Sequence, residues 1–153
     1  MKSLVDNGCR QELVARIGRV RPDTARLWGK MTAPQMICHV SDSFLGIMGD
    51  KPMEIPGGFS VWPMMKYFAL YAPMKWPADV RTRPEFEQQG GGGTPPAQFE
   101  ADVRRLLDSM ERFSRRSRDF QFRPHPMFKK MSEGQWMRWG YLHVDHHLRQ
   151  FGQ

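Results

Sequence analysis

The chain has 153 residues, a 40% hydrophobic fraction with 12% aromatics and a formal charge of +7, which fits one ordinary domain that buries a core unaided. Two cysteines, Cys9 and Cys38, exclude a disulfide scaffold. Met1-Lys2-Ser3 leads into no uninterrupted apolar stretch of signal length, and the most apolar stretch, FSVWPMMKYFALYAPMKW, is cut by Lys66 and two prolines, so neither a signal segment nor a membrane span is expected and the simplest address is a reducing cytoplasm.

Helix signals recur along the chain, while long apolar/polar alternation is missing and β-branched residues are few, so the fold class is all-α. A first helix is predicted over about residues 6–19, with Leu13, Val14 and Ile17 as its apolar stripe, ending before Arg21-Pro22-Asp23. A second begins at Thr32-Ala33-Pro34-Gln35, where Thr32 can cap the Gln35 amide and Gln35 can reach back, and it stops near Gly49. A third, shorter helix fits about residues 60–72. The stretch KWPADVRTRPEFEQQGGGGTPP that follows is a loop, because four glycines and two prolines hold no regular element. Gly90 to Gly93 lack the Lys and the strand-to-helix junction of a phosphate-binding loop, so they are not read as one. A fourth helix is expected just after Thr94, with Pro95 in its first turn and Phe99, Val103, Leu106, Leu107, Met110 and Phe113 as its buried face. The last runs from Ser132, a second capping box with Gln135, to about Phe151.

Much of the positive charge lies between Arg104 and Arg123, in a run that also holds Asp108, Glu111 and Asp119. Phosphate neutralisation would make such a run a nucleic-acid surface, but its spacing is that of a solvated helix face and no nucleic-acid-binding motif accompanies it. A nucleic-acid partner is not expected.

Three of the five histidines crowd into the C-terminal HVDHH. At about 100° per residue, Gly140, His143 and His147 fall at about 40°, −20° and 20° from Trp136, one narrow stripe, while His146 lies at its edge near −80° and Asp145 points away. If Trp136 is buried, His143 and His147 are an inward pair one turn apart, placed to converge on one ion. The alternative is two core histidines satisfied by carbonyls or water. Val144 stands where the metalloprotease helix carries its Glu, so hydrolysis of that type is not expected. His39, on the face of Met36 and Ser43, is also inward, and facing helices of a bundle can bring it to the pair. His125, between Pro124 and Pro126, is read as a surface loop residue, with a pocket mouth as the alternative.

The segments LWGKMTAPQMICHVSD, GGTPPAQFEAD and HPMFKKMSEGQWMRWGYLHVDHHLRQFG together resemble a DinB-related family of small bacterial proteins, over about Leu13 to Gln153. HHLRQFG is the most specific part. The resemblance implies a four-helix bundle of the DinB/YfiT-like type, up-down-down-up or similar with long connections, in a homodimer. It also implies a divalent ion on one histidine of the second helix and an H-x-x-x-H pair of a late one, here His39, His143 and His147; three imidazoles accept zinc, nickel, iron or copper, with zinc or nickel favoured. Relatives of that superfamily are thiol-dependent transferases and isomerases, so a low-molecular-weight thiol would take the ion's open position and meet an electrophilic small molecule. One departure is Lys129, which follows Phe128 where the family usually has Gly; it bears on any tight turn there and not on the ligands. A second reading is a non-catalytic metal-binding or stress-associated module whose basic face meets an anionic partner.

Overall fold

The computed structural model describes residues 1–55, 63–78, 82–88 and 90–153. Those residues contain five α-helices and no strand: α1 (Asn7–Ile17), α2 (Ala33–Met48), α3 (Pro63–Tyr71), α4 (Phe99–Ser114) and α5 (Glu133–Gln150), with a short 3-10 turn at Pro84–Phe86. The chain is all-α. None of these helices is long and apolar enough to cross a membrane.

Capping explains most of the boundaries. Asp6 accepts from the Cys9 amide and starts α1. Thr32 with Gln35, and Ser132 with Gln135, form both capping boxes expected at α2 and α5. Gly49 closes α2 at φ 94°, a left-handed position where a side chain is strained. Residues 60–62 of the third predicted helix lie outside the described residues.

Three expectations need correction. In α1, Leu13 and Ile17 are buried but Val14 is 41% exposed: it sits about 100° off the Leu13 line, too far round to share the stripe. The fourth helix starts at Phe99, not beside Pro95. Thr94 is held outside the helix because its amide and hydroxyl both donate to the fully buried Asp42 carboxylate on α2, each at 2.7 Å, while the Ala97 amide donates to Asp102. At the other end α4 stops at Ser114, so the basic run leaves the helix half-way; Phe122 instead stacks on Trp136 at 5.5 Å and packs on Phe113. Four of the seven arginines of that run are engaged with acids: Arg105 with Asp102, Arg112 with Asp50 and Asp119, Arg115 with Glu111, Arg118 with Glu133.

Helix α2 is the centre of the molecule, buried at nearly every position from Ala33 to Met48. It packs most extensively on α4 and also on α5, which in turn meets α1 and α3. Phe44, Phe113, Trp136 and Trp139 form one aromatic knot between these helices, with ring centroids 4.8–6.3 Å apart. Burying each such side chain contributes roughly 1.5–3 kcal/mol, against about 0–1 kcal/mol for an exposed ion pair, so packing rather than surface charge holds α4 and α5 on α2. Gly140 makes the knot possible: a Cβ there would come within 2.6 Å of Leu4 and 3.3 Å of both Phe44 and Phe113.

The glycine run serves the 3-10 turn. The Gly92 amide donates to the Pro84 carbonyl at 2.8 Å and the Gly93 amide to that of Glu87 at 3.0 Å. A Cβ on Gly91 would sit 2.3 Å from the Pro84 oxygen, which is why the close approach requires glycine. Those amides are committed to the protein's own carbonyls, and the folded-back loop fixes Phe86 over α2.

Candidate metal centre

Trp136 is 1% exposed, and the stripe behind it points inward as its spacing requires. His143 and His147 stack one turn apart with ring centroids 4.8 Å from each other, and His39 of α2 completes a triangle at 5.5 Å from His143 and 4.7 Å from His147. One nitrogen from each ring lies within 4.8 Å of the other two, and all three side chains are buried. The histidine a hundred residues upstream thus does meet the C-terminal pair.

Two of the rings are tethered from behind. The His39 Nδ1–H donates to the Phe86 carbonyl at 3.1 Å. The His147 Nδ1–H donates to Gln150 Oε1 at 3.0 Å, and Gln150 Nε2 donates onward to the Trp28 carbonyl, which sets the orientation of the amide. In each case the bond leaves Nε2 as a lone pair, the arrangement that outer partners impose on metal-ligating imidazoles. Burial holds all three rings neutral: His39 below the usual imidazole range, His143 and His147 well below it, with neighbouring imidazoles adding to the effect on the last two. Neutral is the ligating form.

The donor set fits an ion. His143 Nε2 lies 3.1 Å from His147 Nε2, and two ligands at about 2.0–2.1 Å from a tetrahedral ion are about 3.3 Å apart. A hydrogen on His143 Nε2 would satisfy the His147 lone pair and leave that of His39, whereas one cation satisfies all three. His143 Nδ1 is buried with no partner among the described residues.

His146 stays outside the triad, as its wheel position suggested, yet it is only 7% exposed, lodged between Trp28 and Trp76 with centroids at 6.1 and 6.0 Å. His125 is a correction: it is 8% exposed, not a surface residue. Its ring stacks on Phe128 and packs against Trp136 and Trp139, and its backbone pairs with that of Lys129 through two 2.8 Å bonds. Lys129 takes a left-handed φ of 55°, so the tight turn forms despite the missing glycine. Sequence reasoning missed the Phe86 carbonyl and the two flanking tryptophans; Gln150, three residues after His147, was within reach of a helix-spacing argument.

The histidines line one large cavity of about 920 Å³ whose walls are mostly apolar, among them Met53, Phe68, Trp76, Phe86, Phe128 and Trp139. None of its described lining residues is a carboxylate. Fold and site therefore define an all-helical protein with a buried three-histidine cluster opening on an apolar cleft. The chain belongs to the family described as "Protein of unknown function (DUF1569)", which it matches over residues 13–153. Neither a curated protein nor a solved structure matches it.

Proposed function

We propose that this protein is a metal-dependent enzyme in which His39, His143 and His147 hold one divalent ion, zinc or nickel, and that it transfers a group between a low-molecular-weight thiol and an electrophilic small molecule. The observation that carries the reading is the pair of tethers, Phe86 carbonyl on His39 and Gln150 on His147, which turn two Nε2 lone pairs toward the nitrogen of a third buried imidazole. Three neutral ligands leave the full charge of the ion and an open position, the pattern of catalytic rather than closed structural sites. A bound ion of this kind supplies acidification of a thiol or water at that position.

The remaining work falls to the chain itself. Phe86, Trp76 and Trp139 keep water from the histidines and give the substrate's apolar part a surface, which favours a thiolate nucleophile over hydrolysis. Without a carboxylate among the described lining residues, a carboxylate-base hydrolase is the poorer fit. We further infer that α1, α2, α4 and α5 make the four-helix bundle of a DinB/YfiT-like protein with α3 on a long connection, consistent with α2 packing on α4 and α5 on both α1 and α2. A homodimer belongs to the same proposal.

The non-catalytic module remains the second reading, but four of the seven arginines of the basic run pair with acids, which reduces the free charge that an anionic partner would need. Titrating cobalt-reconstituted protein with cysteine separates the two. The enzyme reading predicts a thiolate-to-cobalt charge-transfer band that saturates at one thiol per ion; a cobalt spectrum unchanged by thiol would contradict it.

A further inference from the structure

We infer that the cleft binds an aromatic or acyl molecule bearing a hydrogen-bond acceptor, and that the Nε2–H of His125 donates to that acceptor. The starting point is the other nitrogen of the ring. Nδ1 of His125 accepts from two backbone amides of its own turn, Met127 and Phe128, both at 3.1 Å. A nitrogen that accepts carries no hydrogen, and a neutral imidazole has one, so the hydrogen is on Nε2.

The ring is a donor and nothing else. Charging it would require a hydrogen on Nδ1, against two amides that already point there, inside a nest of Phe128, Trp136 and Trp139. Burial and the nearby Arg83 push its pKa down to about 3, so it stays neutral across the physiological range. Stacking on Phe128 at 4.6 Å and 17°, with the two bonds joining residues 125 and 129, fixes its direction before any ligand arrives. His125 is more than nine-tenths buried, it lines the cavity, and no acceptor among the described residues takes its Nε2–H. Such a donor is built for an acceptor that enters from the cleft.

The cavity states the rest of the ligand. About 920 Å³ is at the upper end of small-molecule sites. Methionines and aromatic rings dominate the wall, adaptable and flat surfaces that favour an aromatic or acyl body, and the only charged side chains among its described lining residues are the cations Lys75 and Arg83. The inference uses the same cleft as the metal reading but needs no ion.

The test is prodan, a fluorescent naphthyl ketone, titrated into EDTA-treated and metal-loaded protein, with His125→Asn and His125→Gln alongside wild type. Asn places Oδ1 where Nδ1 lies, keeping the turn amides satisfied while losing the distal donor; the amide of Gln reaches the Nε2 position and restores it. We expect saturable, blue-shifted binding to wild type with or without metal, weakened roughly three- to tenfold by His125→Asn and restored to within about twofold by His125→Gln. Unchanged affinity in a His125→Asn variant that melts like wild type would overturn the proposal. So would prodan binding that disappears as protein concentration rises, which would assign the cleft to a second copy of the chain. Long-range proton–nitrogen NMR of the wild type tests the tautomer without any variant, and a hydrogen on Nδ1 sinks the idea. A protein that takes no metal but passes these tests leaves this inference standing and removes only the metal reading.

Discussion

Lys129 shows how one residue can carry a cost for its neighbour. Its left-handed φ of 55° is about 1–2 kcal/mol unfavourable for a side chain with a Cβ, yet it lets the turn close so that the Met127 and Phe128 amides reach His125 Nδ1. Lys129→Gly relieves that strain, and the greater freedom of glycine in the unfolded chain returns about 0.5–1 kcal/mol. The expected net is a stabilisation of up to about 1 kcal/mol, a rise of roughly 2–4 °C in a thermal melt; a lower melting temperature would contradict it. Gln150 has a different part, since its Oε1 holds His147 in the tautomer that presents Nε2. Gln150→Leu keeps the bulk and loses the acceptor, so zinc affinity measured by competition with a chromophoric chelator is expected to fall about 10- to 100-fold. An affinity within twofold of wild type would mean that the tether does not matter.

At the scale of elements, the 3-10 turn is coupled to α2 through contacts no sequence pattern records. Gly46, mid-helix, leaves room for the Phe86 ring: an added Cβ would meet it at 2.8 Å. Gly46→Ala gains up to about 1 kcal/mol of helix propensity but displaces the turn whose carbonyl orients His39. The expected result is a stability within about 1 kcal/mol of wild type and a metal affinity several-fold weaker; a more stable variant with undiminished metal affinity would uncouple the two. Elements were legible where side chains declare themselves locally. Both capping boxes, the Gly49 stop and the Trp136–His143–His147 stripe follow from spacing alone, because a helix repeats every 3.6 residues. The start of α4 was not legible, since Asp42, which holds Thr94 outside the helix, lies 52 residues earlier. For His39 the hidden partner is a backbone carbonyl 47 residues later, a group present at every position and signalled by none. His125 looked like a surface loop residue because nothing in Pro-His-Pro says that three aromatic rings will close over it.

For the whole molecule, the core and the candidate site are one construction. The aromatic knot of Phe44, Phe113, Trp136 and Trp139 fixes α5 against α2, and the same register brings His39 to His143 and His147. Five buried imidazoles in one small domain are costly if they do nothing, because each must stay neutral and find partners in an apolar setting. One divalent ion would relieve three of them at once. Elemental analysis of the natively purified protein beside His39→Ala, His143→Ala and His147→Ala tests this most directly. A three-histidine metal centre predicts about one equivalent of a divalent metal per chain in the wild type and its loss in each folded variant, and it is contradicted if the wild type takes up no stoichiometric metal or if His143→Ala retains it.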